Sequence, residues 1–195
     1  SYRELVMIEA KENFNNTWPF NPNFFSGNGF KQHYVDEGKE NNKVILCLHG
    51  EPTWGYIYRH FIKELSKNFR VVVPDLMGFG KSETPGNKEY SLKIHVENLE
   101  NLVNYLELKN IYFVGQDWGG PILGAYTLRN LTNTKGMFLI NTIFGYSKTE
   151  KPRELTPWFK WIKKNEESGA LKGILGELNT TILSVSYTHL RAHET

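Results

Sequence analysis

A chain of 195 residues is long enough for one domain with a substantial buried core. Its 39% hydrophobic and 23% charged residues and net charge of +2 are ordinary for a globular protein, and the absence of a basic block gives no reason to expect a nucleic-acid partner. No apolar run approaches the ~20 residues that span a bilayer, so no membrane partner is expected either. The single Cys47 excludes an internal disulfide; within Val44-Ile-Leu-Cys-Leu48 it reads as a buried, inert thiol. The chain starts without Met and without a signal-peptide core, so it is expected to be cytoplasmic and to begin inside a longer reading frame.

Residues 1–25 are polar and aromatic, with Asn-Pro turns around Pro19 and Pro22, and are expected to form a surface arm. Phe30 to Gly38 alternates partly, as an edge strand does, with His33 at the surface or in packing. Val44 to Leu48 is continuously apolar, the pattern of a strand covered on both faces. It leads into His49-Gly-Glu-Pro-Thr-Trp54, a loop that Pro52 keeps from being helical. A helix is predicted from about Gly55 to Lys67, with Tyr58, Ile62 and Leu65 on one face and His60 at the surface. Arg70 to Pro74 is a second buried strand, followed by the glycine-rich loop Asp75 to Ser82. Asp75 is expected to anchor that loop by hydrogen bonds, and Lys81-Ser82 lacks the spacing of a phosphate loop.

Ser91 is the predicted N-cap of a helix carrying Leu92, Val96, Leu99, Val103 and Leu106 on its apolar face, with His95 solvated on another. A strand over 111–116, a helix from Trp118 to about Leu131 and a fourth buried strand over 136–141 complete the alternation. Strand and helix in alternation with short connections predict an α/β fold: a mostly parallel sheet with flanking helices. Ligands bind such sheets beyond the carboxyl ends of the strands, where loops 49–54, 75–82 and 115–119 fall.

The centre of this pattern is Gly115-Gln-Asp-Trp-Gly119. A strand that turns straight back into a helix crowds the residues two before and two after the apex, so both sites favour Gly. The apex side chain is held above the sheet, with the positive helix N-terminus behind it. Here that side chain is Asp117. A carboxylate suits displacement at a saturated carbon, through a covalent alkyl ester that water then hydrolyses. Halide release from a haloalkane and opening of an epoxide both fit.

His49-Gly-Glu-Pro-Thr-Trp54, Tyr58-Arg59, Pro74-Asp-Leu-Met-Gly-Phe-Gly-Lys-Ser82 and Val114-Gly-Gln-Asp-Trp-Gly-Gly120 together resemble the haloalkane dehalogenases of the α/β-hydrolase superfamily, over about residues 20–165. The resemblance implies Asp117 as nucleophile and the backbone N–H groups of Glu51 and Trp118 as oxyanion hole. His49 is expected to orient the oxyanion loop. The resemblance implies the Trp118 indole N–H as halide donor, with Trp161, or alternatively Trp158, as the second. It implies a small apolar substrate, a halide product, no cofactor and no metal, and a monomer in the intact parent. Epoxide hydrolases and other Asp-nucleophile enzymes share parts of the pattern. Glu51 tilts the resemblance toward dehalogenation, because epoxide hydrolases more often carry an aromatic residue in that loop; in addition, Tyr146 and Tyr187 match no epoxide-protonating pair. A non-catalytic member of the fold is the third reading.

The expected organisation is an N-terminal part of the hydrolase core over 1–143, a partial helical cap over 144–183, and a tail over 184–195 that lies outside the family pattern. The hydrolytic step needs a His base and an acid after the nucleophile. His189 and His193 lie in that tail, and Glu150, Glu154, Glu166, Glu167 and Glu177 lie in the cap, so neither partner is identified. The 195-residue chain is therefore expected to be poorly stable and to show no turnover; catalytic halide release from a bromoalkane by the purified chain would overturn this.

Overall fold

The computed structural model describes residues 8–142 together with Pro157, Lys160, Trp161 and Lys164. Contacts divide the chain into a unit ending at Phe144 and another beginning at Gly145, and the sheet lies in the first. Its strands are β1 (Asn23–Phe25), β2 (Gln32–Glu37), β3 (Val44–Leu48), β4 (Arg70–Pro74), β5 (Ile111–Gln116) and β6 (Thr134–Ile140). They lie in the order β1-β2-β4-β3-β5-β6. β3 runs parallel to β4 and β5, and β5 parallel to β6, while β2 pairs antiparallel with β1 and β4. The parallel core puts the loops after β3, β4 and β5 at one end of the sheet, as the alternation predicts.

β3 is apolar throughout because both of its faces are covered. On one face Leu46, Leu48, Ile111 and Phe113 pack with Val96, Leu99, Leu102 and Ile122. These last come from α2 (Leu92–Tyr105) and α3 (Gly119–Arg129). On the other face Ile45, Cys47, Val71, Val73 and Val114 pack with Trp18, Trp54, Tyr58 and Ile62. Cys47 is fully buried, and desolvation pushes its thiol far above the usual range, which bears out the inert reading. Ser91 caps α2 by accepting from the Ile94 N–H at 3.4 Å.

Several expectations change. The N-terminal stretch is no surface arm: Trp18 is buried, and Phe14 and Trp18 pack against Trp54 with tilted rings at centroid distances of 5.7 and 5.1 Å. β2 is not an edge, because the three-residue β1 covers it. The predicted helix 55–67 is a 3-10 turn, Gly55–Tyr58, followed by α1 (Arg59–Leu65). Leu92, assigned to the buried face of α2, is exposed, and Leu102 takes a core place. His95 is half-buried rather than solvated, with its Nδ1 sealed from water. β6 is not covered on both faces; Phe138 keeps 63% of its surface. Among the described residues no helix is long and apolar enough to cross a membrane.

The unpredicted Trp18 gives the fold a direct test. Its side chain is 1% exposed between Phe20 and Trp54. Trp18→Ala should destabilise the chain by about 3–5 kcal/mol, read as a lower urea midpoint at similar slope.

Candidate active site

β5 ends at Gln116 and α3 begins at Gly119, so Asp117 must reverse the chain almost alone. It does so at a φ of +52°, a left-handed conformation that costs a non-glycine residue on the order of 1–3 kcal/mol. Several bonds hold it there. The Asp117 carbonyl accepts from the Gly120 N–H at 3.0 Å and from Thr142 Oγ1 at 2.5 Å, and the Asp117 N–H donates to the Ile140 carbonyl at 3.4 Å. α3 then starts hard against β3: a Cβ at Gly119 would overlap the Leu48 carbonyl.

The loop after β3 comes to meet this apex. A Cβ at Gly50 would overlap both Asp117 Oδ1 and the Trp118 backbone nitrogen, so only glycine lets the two backbones approach this closely. The next residue uses the proximity: the Glu51 N–H donates to Asp117 Oδ1 at 2.8 Å. The Trp118 nitrogen borders the same spot beside Gly50. Of the two backbone groups expected as an oxyanion hole, the Glu51 N–H is bonded to Asp117 Oδ1, and the Trp118 nitrogen lies against Gly50. The Trp118 side chain is 42% exposed at this end of the sheet.

Glu51 keeps an exposed surface, yet its carboxyl is raised above the usual range, first by desolvation and then by the charge of Asp117. Below the loop lies His49, fully buried. Its Nε2 accepts from the Leu76 N–H at 2.9 Å, so the ring proton sits on Nδ1, which faces the Gly50 carbonyl at 2.9 Å. That carbonyl also accepts from the Thr53 N–H and from Thr53 Oγ1, each at 3.0 Å. The reading of His49 as the residue that orients this loop fits these bonds.

Asp75 anchors its loop as expected and does more. It is fully buried, with Oδ1 accepting from the Gly55 N–H at 2.8 Å and Oδ2 from the Lys81 N–H at 2.9 Å. Oδ2 also lies 2.8 Å from Nδ1 of His33, which is fully buried and not at the surface. Burial pushes the Asp75 carboxyl up, but His33, His49 and the Lys81 N–H outweigh it and hold it below the usual range. Lys81 donates its Nζ to the carbonyls of Ala10 and Glu12 at 2.9 and 2.6 Å, tying down the N-terminal stretch instead of binding a phosphate.

Trp161 is a half-buried helical residue of the second unit. Trp158, Tyr146, Tyr187, His189, His193 and the five glutamates from Glu150 to Glu177 lie outside the described residues. Among the described residues no group of three or more His, Cys, Asp and Glu could hold a metal ion. Sequence reading missed the His33–Asp75 pair, whose only signal was a polar residue inside a partly alternating strand.

With this geometry in place, likeness to known proteins can be weighed. The profile of the alpha/beta hydrolase fold family matches residues 43–181. Haloalkane dehalogenase 2 of Mycobacterium tuberculosis (strain ATCC 25618 / H37Rv) is 39% identical over 127 residues, 65% of this chain and 44% of that protein. A cis-3-alkyl-4-alkyloxetan-2-one decarboxylase of Shewanella oneidensis is 35% identical over 143 residues, 72% of this chain and 44% of that protein. Among solved structures, haloalkane dehalogenase DpaA from Paraglaciecola agarilytica NO2 superimposes with a TM-score of 0.67 at 35% identity, over 77% of this chain and 51% of that one. Epoxide hydrolase CorEH gives 0.62 at 27% identity, over 70% of this chain and 47% of that one. The chain thus spans about half the length of the relatives it matches.

The His49 network makes its own prediction. Desolvation lowers the imidazole, with Asp75, the Gly50 carbonyl and Asp117 opposing. Because the folded pKa lies below the unfolded value of about 6.5, the stability is fully present above the unfolded value and is lost as pH falls from there through the lower, folded pKa. At pH 6.5, nitrogen NMR should show His49 neutral with its proton on Nδ1; an imidazolium or an Nε2–H tautomer would contradict the network.

Proposed function

The chain belongs to the alpha/beta hydrolase fold family, and from that premise we propose that its site displaces halide from haloalkanes through a covalent ester of Asp117. The 2.8 Å bond from the Glu51 N–H to Asp117 Oδ1 carries this reading. With Oδ1 held, Oδ2 is the oxygen that attacks. Its lone pair forms the new bond to carbon, the carbon–halogen bond breaks, and the halide leaves with that electron pair. A carbonyl substrate would instead give an anhydride, which is why a carboxylate at the apex favours saturated carbon.

The departing halide would be received by the Trp118 indole N–H, with Trp161, or Trp158 in its place, as second donor. An indole donates without accepting, and its apolar body suits a large, weakly hydrated anion. In the second step water adds to the ester carbonyl carbon and negative charge develops on Oδ1, where the Glu51 N–H already donates and the Trp118 N–H would join it. One such donor contributes roughly 10²–10³ in rate in enzymes that use an oxyanion hole. Collapse then breaks the bond between the carboxyl carbon and Oδ2, which leaves with the alkyl group. Of the two protons of the water, one goes to that oxygen to give the alcohol and one to solvent, and the oxygen of the water completes the restored carboxylate. His49 is not the base that activates this water, because Leu76 and Gly50 occupy its two ring nitrogens. No cofactor enters either step.

The likeness to a solved epoxide hydrolase supports a second reading, in which the same carboxylate opens an epoxide. One experiment separates the two. The purified chain is incubated with a bromoalkane or an epoxide, and the mass of the peptide carrying Asp117 is read alongside free bromide. The expected result is an alkyl adduct on Asp117 with one bromide released per adduct, both lost in Asp117→Asn. A hydroxyalkyl adduct from the epoxide alone would transfer the assignment to the second reading, and no adduct from either would reject both.

A further inference from the structure

Loop 49–55 carries the Glu51 N–H, yet the bond that fixes the far end of that loop comes from outside it. Gly55 closes the loop, and its N–H donates to Asp75 Oδ1 at 2.8 Å. At the near end, the Leu76 N–H donates to His49 Nε2 at 2.9 Å. Two adjacent residues therefore grip the loop at both ends, and between the grips Thr53 folds it back onto the Gly50 carbonyl through two bonds of 3.0 Å.

We propose that Asp75 is a positioning residue, whose carboxylate clamps loop 49–55 so that the Glu51 N–H stays on Asp117 Oδ1. Its catalytic meaning rests on the reading of that N–H as an oxyanion donor. The chemistry requires a carboxylate and not merely a polar side chain. Three donors converge on its two oxygens: the N–H groups of Gly55 and Lys81, and His33 Nδ1 at 2.8 Å. A carboxylate accepts all three, whereas the NH₂ of an amide would face at least one of them. The Asp75 backbone is fixed independently, since its carbonyl accepts from Ser82 Oγ at 3.0 Å and Gln32 Nε2 at 3.2 Å. The side chain is fully buried, so water does not stand in for a lost partner without rearrangement. The clamp thus links β2, the loop after β3 and the loop after β4 at one point, beneath the nucleophile.

The test is Asp75→Asn in the full 195-residue chain, with amide hydrogen exchange and Asp117 alkylation by a bromoalkane as readouts. The Glu51 and Gly55 amides should exchange at least about tenfold faster, while Leu99 and Leu102 in α2 keep their protection. Alkylation per folded molecule should slow by at least about tenfold, because a small misplacement near the reacting atoms has effects of that order. A purely structural Asp75 would lower the melting temperature and leave Glu51 exchange and the per-molecule rate unchanged, which would overturn the proposal. If the parent chain is not alkylated at all, the functional reading fails while Glu51 exchange still decides the role of Asp75. If the variant does not fold, the parent chain decides. Glu51 and Gly55 should open with one protection factor, and a Glu51 protection more than about tenfold below that of Gly55 would overturn the clamp.

Discussion

The bond from the Glu51 N–H to Asp117 Oδ1 joins two residues 66 positions apart, and it exists because β3 and β5 are parallel neighbours. Their register sets Leu48 opposite Gly115, so both strands end at the same height and release their loops into the same space. Glycine at 50 and 119 then lets main chain approach main chain. An antiparallel pairing, or a shift of two residues, would leave the carboxylate facing water and the N–H without its acceptor. The site is first a consequence of strand order.

Beneath the site, the sheet end is built from buried polar groups where an apolar core would be cheaper. His33, His49 and Asp75 are all fully buried. Burying ionisable groups costs several kcal/mol unless they are paired and hydrogen-bonded. His49 and Asp75 meet this condition through main-chain amides and carbonyls, whereas His33 is paired to Asp75 through Nδ1 and keeps its Nε2 buried without a hydrogen-bond partner. Apolar replacements would fill the same volume, but oil-like contacts lack direction. Hydrogen bonds fix angles as well as distances, and the loops above them must be held to a fraction of an ångström.

Much of this was legible in the residues. Val44 to Leu48 and Val71 to Val73 are apolar because both faces are covered, and the Gly-x-Asp-x-Gly spacing announced the elbow. What stayed hidden depends on contacts without a local signature. β1 has three residues and no period, yet it turns β2 from an edge into an interior strand. Trp18 finds Trp54 across 36 positions of chain, which no pattern within either segment encodes. His33 looked like one polar residue in an alternating strand, and only the fold shows that Asp75 waits beside it. His95 was placed by helical phase on a wet face, but in the fold its Nδ1 is buried.

The carbonyl of Asp117 accepts from Thr142, and the space that a Cβ at Gly120 would fill is taken by the Thr142 side chain. Emerging from a ribosome in order, the chain delivers the nucleophile some two dozen residues before the side chain that secures it. Until β6 has been made and has docked beside β5, the turn at Asp117 bears its left-handed strain with part of its support still unwritten. The turn that carries the carboxylate thus gains its full set of hydrogen bonds only once the strand beyond it has docked.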